Sequence, residues 1–291
     1  MGRRPTVGLI GSSPLAAACL RDTAHCGMST VGQAGRLRTL VFLWAIVAIA
    51  NSCRMSTDPT PLGHFGAGPR RILFIGNSLT GANEMPGMLV ALAESARVTP
   101  LPSVDVDWEP DFALIDHWSL GTAKTLIANG HYDVVVMQQG PSSVAVNRDT
   151  LRLAVGLFSP VIRAAGGVPA LFAVWPTSDR QVDFDRATES YRLAAQDVGA
   201  MLFPGGETWR AAWSRSPSLQ LYSADGLHPT ALGSYAVAVS MFGILYDRST
   251  VGLPTTFRSS SSVVYRFDST AARVIQDAAD QANYEFGLKA R

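Results

Sequence analysis

Arg71-Ile72-Leu73-Phe74-Ile75-Gly76-Asn77-Ser78-Leu79-Thr80-Gly81 is the stretch that decides the fold. A short apolar run of large aliphatics stops at Gly76, and a polar cluster follows. Met85, Met88, Leu89 and Leu92 then recur at helical spacing, predicting a helix from Met85 to Arg97. Strand, tight turn and helix are the local grammar of a parallel α/β sheet, whose ligands bind beyond the carboxyl ends of its strands. Ser78 is therefore expected to face a crevice beside a helix amino end, where unpaired N–H groups favour developing negative charge. Two readings of the turn stand side by side. Ser78 is a candidate nucleophile, or Asn77, Ser78 and Thr80 simply cap the helix. A phosphate loop is a poor fit. Gly76 and Gly81 have its spacing, but Ala82 and Asn83 stand where Lys and then Ser or Thr are needed.

Working outward, four more strands are expected. Val104 to Trp108 alternates apolar and acidic residues, as an edge strand does. Asp133 to Met137 and Val168 to Trp175 are continuous apolar runs, suited to central strands covered on both faces. Ala200 to Phe203 is short and ends at Pro204-Gly205-Gly206. Helical patterns separate the strands at about His117 to Asn129, Arg148 to Ala165, Asp183 to Val198 and Ala231 to Tyr246. A last helix is expected from Ser269 to Phe286, with Ala271, Val274, Ile275, Ala278 and Ala282 along one stripe. Strands alternating with helices argue a single α/β domain over residues 70–291, with a parallel sheet between helices.

The amino end reads differently. Arg36 and Arg38 precede the uncharged apolar run Leu40 to Ala50, which is too short to span a bilayer and suits a signal-peptide core. Ala50-Asn51-Ser52 then leads into Cys53, a pattern that looks like a bacterial lipoprotein signal with Ala50 where Leu is usual. Residues 1–53 are thus expected to be a signal peptide, and Met28 would give it an ordinary length. Export follows, to the cell envelope as a lipoprotein anchored through Cys53, or to the periplasm or exterior after cleavage near Ser52. Residues 54–69, rich in Pro, Gly and Thr, read as a tether. Cys19, Cys26 and Cys53 are the only cysteines, so a chain beginning at Cys53 has no internal disulfide and no cysteine nucleophile. From Arg54 onward there are 19 basic and 22 acidic side chains, and nothing suggests a nucleic-acid partner.

The second informative stretch is Ser223-Ala224-Asp225-Gly226-Leu227-His228-Pro229-Thr230. The Asp-x-x-His spacing lets the Asp225 carboxylate reach one ring nitrogen of His228, leaving the other for a nucleophile. The competing reading is local again: Asp225 caps a turn and His228 caps the next helix. Asp116-His117 is too sparse for a metal site and reads as structural, while His64 and His131 carry no signal. Trp175-Pro176 ends a strand on the expected rim, where it is either a pocket wall or, the commoner role for such an aromatic, part of the core.

Together the two stretches resemble the SGNH hydrolases of the GDSL type, serine esterases and lipases on a flavodoxin-like fold. The first block of that family appears as Gly76-Asn77-Ser78-Leu79, with Asn77 for the usual aspartate, and the last appears intact as Asp225 to Pro229. The resemblance spans about residues 70–246. It implies a three-layer α/β/α fold with a central, mainly parallel five-stranded sheet. It also implies Ser78 as nucleophile, His228 as base, Asp225 as its partner, and no metal or organic cofactor. The oxyanion would be held by the N–H groups of Ser78 and Gly121, the best match to the second block, and by one side chain. The third block is normally Gly-x-Asn-Asp, but here the strand runs into Met137-Gln138-Gln139-Gly140-Pro141-Ser142. Aligning Gly140 puts Ser142 at the asparagine position; alternatively Gln138 or Gln139 donates. The expected substrate is a carbohydrate or other small ester. A non-catalytic binding relative and an acyltransferase are the competing outcomes.

Overall fold

The computed structural model describes residues 68–258 and 262–289. The expected signal peptide, Cys53 and all but the end of the tether lie outside the described residues. β1 (Arg71–Gly76) lies between β2 (Ser103–Trp108) and β3 (Val134–Met137), with β4 (Val168–Phe172) and β5 (Met201–Phe203) beyond. The order is β2-β1-β3-β4-β5 and every neighbouring pair is parallel. Ile72 to Ile75 and Val134 to Met137 are buried throughout, because helices cover both faces of these strands.

The chain leaves β1 in one direction to reach β2 and returns past it to β3. Right-handed crossovers then put the first connecting helix on one face and the later ones on the other. α1 (Ser78–Gly81) is a single turn, followed by a short 3₁₀ segment and α2 (Met85–Ser95). α2 packs with α8 (Ala231–Tyr246), which also meets α7 (Gly205–Arg215) and α9 (Ser269–Phe286). The other layer gathers α3 (Leu114–Leu120), α4 (Thr122–Gly130) and α6 (Phe184–Val198) around α5 (Ala145–Ala164). α8 is buried from Gly233 to Leu245, so its small and aliphatic residues pack on all sides. The reversal between β1 and β3 leaves a crevice beyond their carboxyl ends, where open α/β sheets bind ligands.

Several elements differ from the sequence expectation. The helix expected from His117 to Asn129 is two, broken at Gly121, whose φ of +91° ends α3 in the left-handed region. β4 ends at Phe172, where its register with the short β5 ends; Ala173 to Trp175 stay buried beyond it, with the Ala173 N–H still donating to Phe203 O at 3.0 Å. Gly205 and Gly206, which suggest a turn, instead open α7. A hairpin of β6 (Thr256–Arg258) and β7 (Val264–Arg266) was not expected. β2 is indeed the edge strand, but its alternation faces the other way: Asp107 is buried, whereas Val106 and Trp108 are 41% and 42% exposed.

Candidate active site

Ser78 opens α1 directly after β1, and Asn77 caps it from extended backbone by accepting the Leu79 N–H at 3.1 Å. The turn is tied down from below by Gln138, at the end of β3. Its Oε1 accepts from Asn77 N at 3.0 Å and Thr80 Oγ1 at 2.7 Å, and its Nε2 donates to Asn77 Oδ1 at 2.9 Å. Only glycine fits at position 76, because a Cβ there would lie 2.5 Å from Gln138 Oε1. Both readings of the turn are therefore compatible: Asn77 does the capping, and the half-buried Ser78 hydroxyl is left to face outward.

The hydroxyl meets His228. Ser78 Oγ lies 2.9 Å from His228 Nε2, and His228 Nδ1 lies 2.7 Å from Asp225 Oδ2. A carboxylate only accepts, so Nδ1 carries the ring hydrogen and the Nε2 lone pair receives the Ser78 hydroxyl. The other oxygen of Asp225 accepts from Ser223 Oγ at 2.8 Å and from the N–H groups of Leu227 and His228, both at 2.9 Å. Led by the Leu227 N–H and then the His228 ring, these donors hold the Asp225 carboxyl well below the usual carboxylate range. Asp225 therefore caps its own turn and orients the imidazole at once.

The loop carrying this pair is anchored to an aromatic stack. Trp175 Nε1 donates to Leu227 O at 2.9 Å, and its ring lies 3.6 Å from that of Trp209, nearly parallel. Tyr222 donates to Pro176 O at 2.6 Å, and Ser178 N to Gly226 O at 2.8 Å. Trp175 is fully buried, so it supports the rim from behind and does not wall the crevice.

The cleft in front of Ser78 holds about 300 Å³ and is bounded by Asp111 to Ala113, Gln139 to Ser142, Asn147, Thr150 and Leu227. The oxyanion-hole residues expected from sequence divide here. Gly121 is not among the lining residues; it sits at the far end of α3, and its N–H is taken by His117 O at 3.1 Å. In its stead the loop Asp111 to Ala113 lines the cleft. Gln138 is also a correction: it is fully buried, and its amide is spent on Asn77 and on Gln139 O, so it positions the turn from beneath. Gln139 and Ser142 do line the cleft. Gln139 Nε2 donates to Ser142 Oγ at 2.9 Å and, over a long 3.3 Å, to Asn147 O. Its Oε1 accepts the Leu114 N–H at 3.1 Å.

Two residues at this wall went unread in the sequence. Tyr191, buried on α6, accepts the Gln139 N–H at 3.1 Å and donates to Gln139 O at 2.5 Å, and burial pushes its phenol well above the usual range. Asn147, in the first turn of α5, lines the cleft from an exposed position. Neither lies in a recognisable motif; each is brought in from a helix whose local pattern reports only its own packing face.

No family model matches the sequence, and no curated protein matches it. Among solved structures, a protein of Slackia heliotrinireducens described as an SGNH hydrolase shares 32% identity, with 58% of this chain and 95% of that one covered and a TM-score of 0.50. A DUF4886 family protein from Bacteroides uniformis shares 16% identity over 74% of this chain and 95% of that one, with a TM-score of 0.57, and shares the fold. The first of these is matched over nearly its whole length at that identity. The chain therefore belongs to the SGNH hydrolases.

Proposed function

We propose that Ser78, His228 and Asp225 are the catalytic triad of an exported esterase that removes a small acyl group from a carbohydrate or other small ester. The observation carrying this reading is the 2.9 Å approach of Ser78 Oγ to an imidazole whose far nitrogen is already held by a carboxylate. His228 Nε2 takes the hydroxyl proton as Oγ bonds to the ester carbonyl carbon. The tetrahedral intermediate collapses, and the leaving alcohol departs with the proton from His228. Water then attacks the acyl-serine, gives a proton to Nε2, and the acid leaves as Ser78 is restored. Asp225 keeps its charge near neutrality and stabilises the imidazolium in both halves.

A cleft of about 300 Å³ stands at the small end of the range for ligand sites, which suits a short acyl group. Asp111, Asn147 and Thr150 offer polar partners to a hydroxyl-rich alcohol, and Phe112, Pro141 and Leu227 offer apolar walls to the acyl chain. The His228 and Asp225 side chains are 36% and 51% exposed. Water therefore has ready access to the acyl-serine, which favours hydrolysis over transfer to another alcohol. The test is acid release from acetylated sugars and from p-nitrophenyl acetate, with an alcohol acceptor added to detect transfer. No release from any of them defeats the reading.

The oxyanion is assigned to the Ser78 N–H, which as the first of its helix has no intrahelical acceptor, and to Gln139. The 3.3 Å bond from Gln139 Nε2 to Asn147 O is the weakest that this amide makes, and so the readiest to redirect. Gln139→Glu, which keeps the acceptor and replaces the donor with charge, is expected to lower kcat by about 100-fold or more. Unchanged turnover would assign the oxyanion to backbone N–H groups alone.

Export is supported by the run Leu40 to Ala50 and the cysteine placed just after it. The mature protein from its native host is expected to begin at or near Cys53. Intact mass and amino-terminal sequencing decide between lipidation and simple cleavage, and a retained apolar segment in the cytoplasm contradicts both.

A further inference from the structure

Among the described residues, three buried side-chain polar atoms lack a hydrogen bond: Asp107 Oδ2, His117 Nδ1 and Tyr246 OH. The first two face each other at 3.4 Å behind the Ser78 turn. His117 is fully buried on α3, and its Nε2 lies 2.8 Å from Gly76 O, the last carbonyl of β1. A carbonyl only accepts, so Nε2 carries a hydrogen there. Were Nδ1 and the Asp107 carboxylate both bare, two lone pairs would oppose each other in a buried site, each unsatisfied. A proton between them removes that conflict.

The neighbours leave this role to no other group. Asp105, the next carboxylate on that side of β2, is half exposed and already bonded to Arg71 and Tyr132, and Asp116 is turned to the Ala113 N–H. The Phe112 ring closes another side, 5.2 Å from the imidazole and edge to face. The inverted alternation of β2 belongs to the same arrangement, since it aims Asp107 at His117 while Val106 and Trp108 stand half exposed.

We propose that His117 and Asp107 share a proton and act as a positioning pair, locking the peptide plane between Gly76 and Asn77 and through it the Ser78 hydroxyl. This rests on the reading of Ser78 as nucleophile. The plane is gripped at both ends: its carbonyl by His117 Nε2–H at 2.8 Å and, more loosely, by the Glu109 N–H at 3.2 Å, and its N–H by Gln138 Oε1 at 3.0 Å. Ser78 begins one residue later, so a rotation of this plane swings Oγ away from His228. Reacting groups displaced by about 1 Å lose about 100-fold in rate.

The experiment combines steady-state kinetics with imidazole ¹⁵N spectra of the parent, Ser78→Ala, His117→Leu, His117→Gln, Asp107→Leu and Asp107→Asn. His117→Leu and Asp107→Leu are expected to lower kcat by about 10- to 100-fold with KM unchanged. His117→Gln, whose amide can still donate to Gly76 O, and Asp107→Asn, whose amide can donate to Nδ1, should recover most of that loss. In the parent and in Ser78→Ala, the His117 Nδ1 resonance should lack the signature of a free lone pair, which should appear in Asp107→Leu. A free lone pair at Nδ1 in the parent, or parental kcat in a folded His117→Leu, overturns the proposal. If the leucine variants do not fold, kcat in His117→Gln and Asp107→Asn no better than a tenth of the parent's overturns it as well. Should Ser78→Ala keep its turnover, the nucleophile reading falls, and the nitrogen spectrum alone decides whether the pair shares a proton.

Discussion

Ser78→Ala is expected to lower kcat for ester hydrolysis by about 10⁶-fold, because removing the nucleophile of a triad disables the whole unit. Among the described residues its hydroxyl is bonded to His228 alone, and the side chain stands half buried at the rim. Deleting one oxygen there opens no core cavity, so unfolding free energy should stay within about 0.5 kcal/mol of the parent. The two measurements together separate lost chemistry from lost structure. A fluorophosphonate should label the parent on Ser78 and leave the variant unmodified. Turnover close to the parent's on an ester that the parent cleaves, or an adduct mapped to another serine, would remove Ser78 from the mechanism.

Asp225→Asn is expected to cost about 10⁴-fold in kcat while leaving the loop in place. The amide oxygen can keep the three donors that the first carboxylate oxygen now accepts, from Ser223, Leu227 and His228. The amide nitrogen then faces His228 Nδ1, where Asp225 Oδ2 stands at 2.7 Å. A donor opposite Nδ1 calls for a lone pair on that nitrogen, which moves the ring hydrogen to Nε2. Ser78 would then face an N–H that cannot take its proton. Asp225→Ala tests something different, since it also strips the loop of three bonds. The decisive readout is kcat beside an unchanged denaturation midpoint. A fall of less than tenfold would mean that another group sets the tautomer.

Much of this architecture is legible in short stretches of sequence. The buried runs Ile72 to Ile75 and Val134 to Met137 specify central strands, because a strand covered on both faces must be apolar at every position. Gly76-Asn77-Ser78 specifies a tight turn into a helix, and Asp225 with His228 three residues later specifies a carboxylate within reach of a ring nitrogen. These are local facts, set by bonds between residues near one another in the chain. The parallel sheet between helical layers also follows from them, through the alternation of strands and helices, whereas the order β2-β1-β3-β4-β5 does not.

What only the tertiary structure decided is which distant groups meet. Ser78 and His228 are 150 positions apart, and a sequence can suggest their pairing without placing it. Gly121 matches a motif glycine but spends its N–H on ending α3, and Gln138 is a donor by type but gives its amide hydrogens to Asn77 Oδ1 and Gln139 O. Asp107 looks like the solvent face of an edge strand and lies inward against His117. In each case the residue's chemistry is written in the sequence, while its partner is chosen by packing. A donor or a carboxylate acquires its role from whichever group the folded chain sets within about 3 Å of it, and residue type and spacing along the chain do not encode that distance.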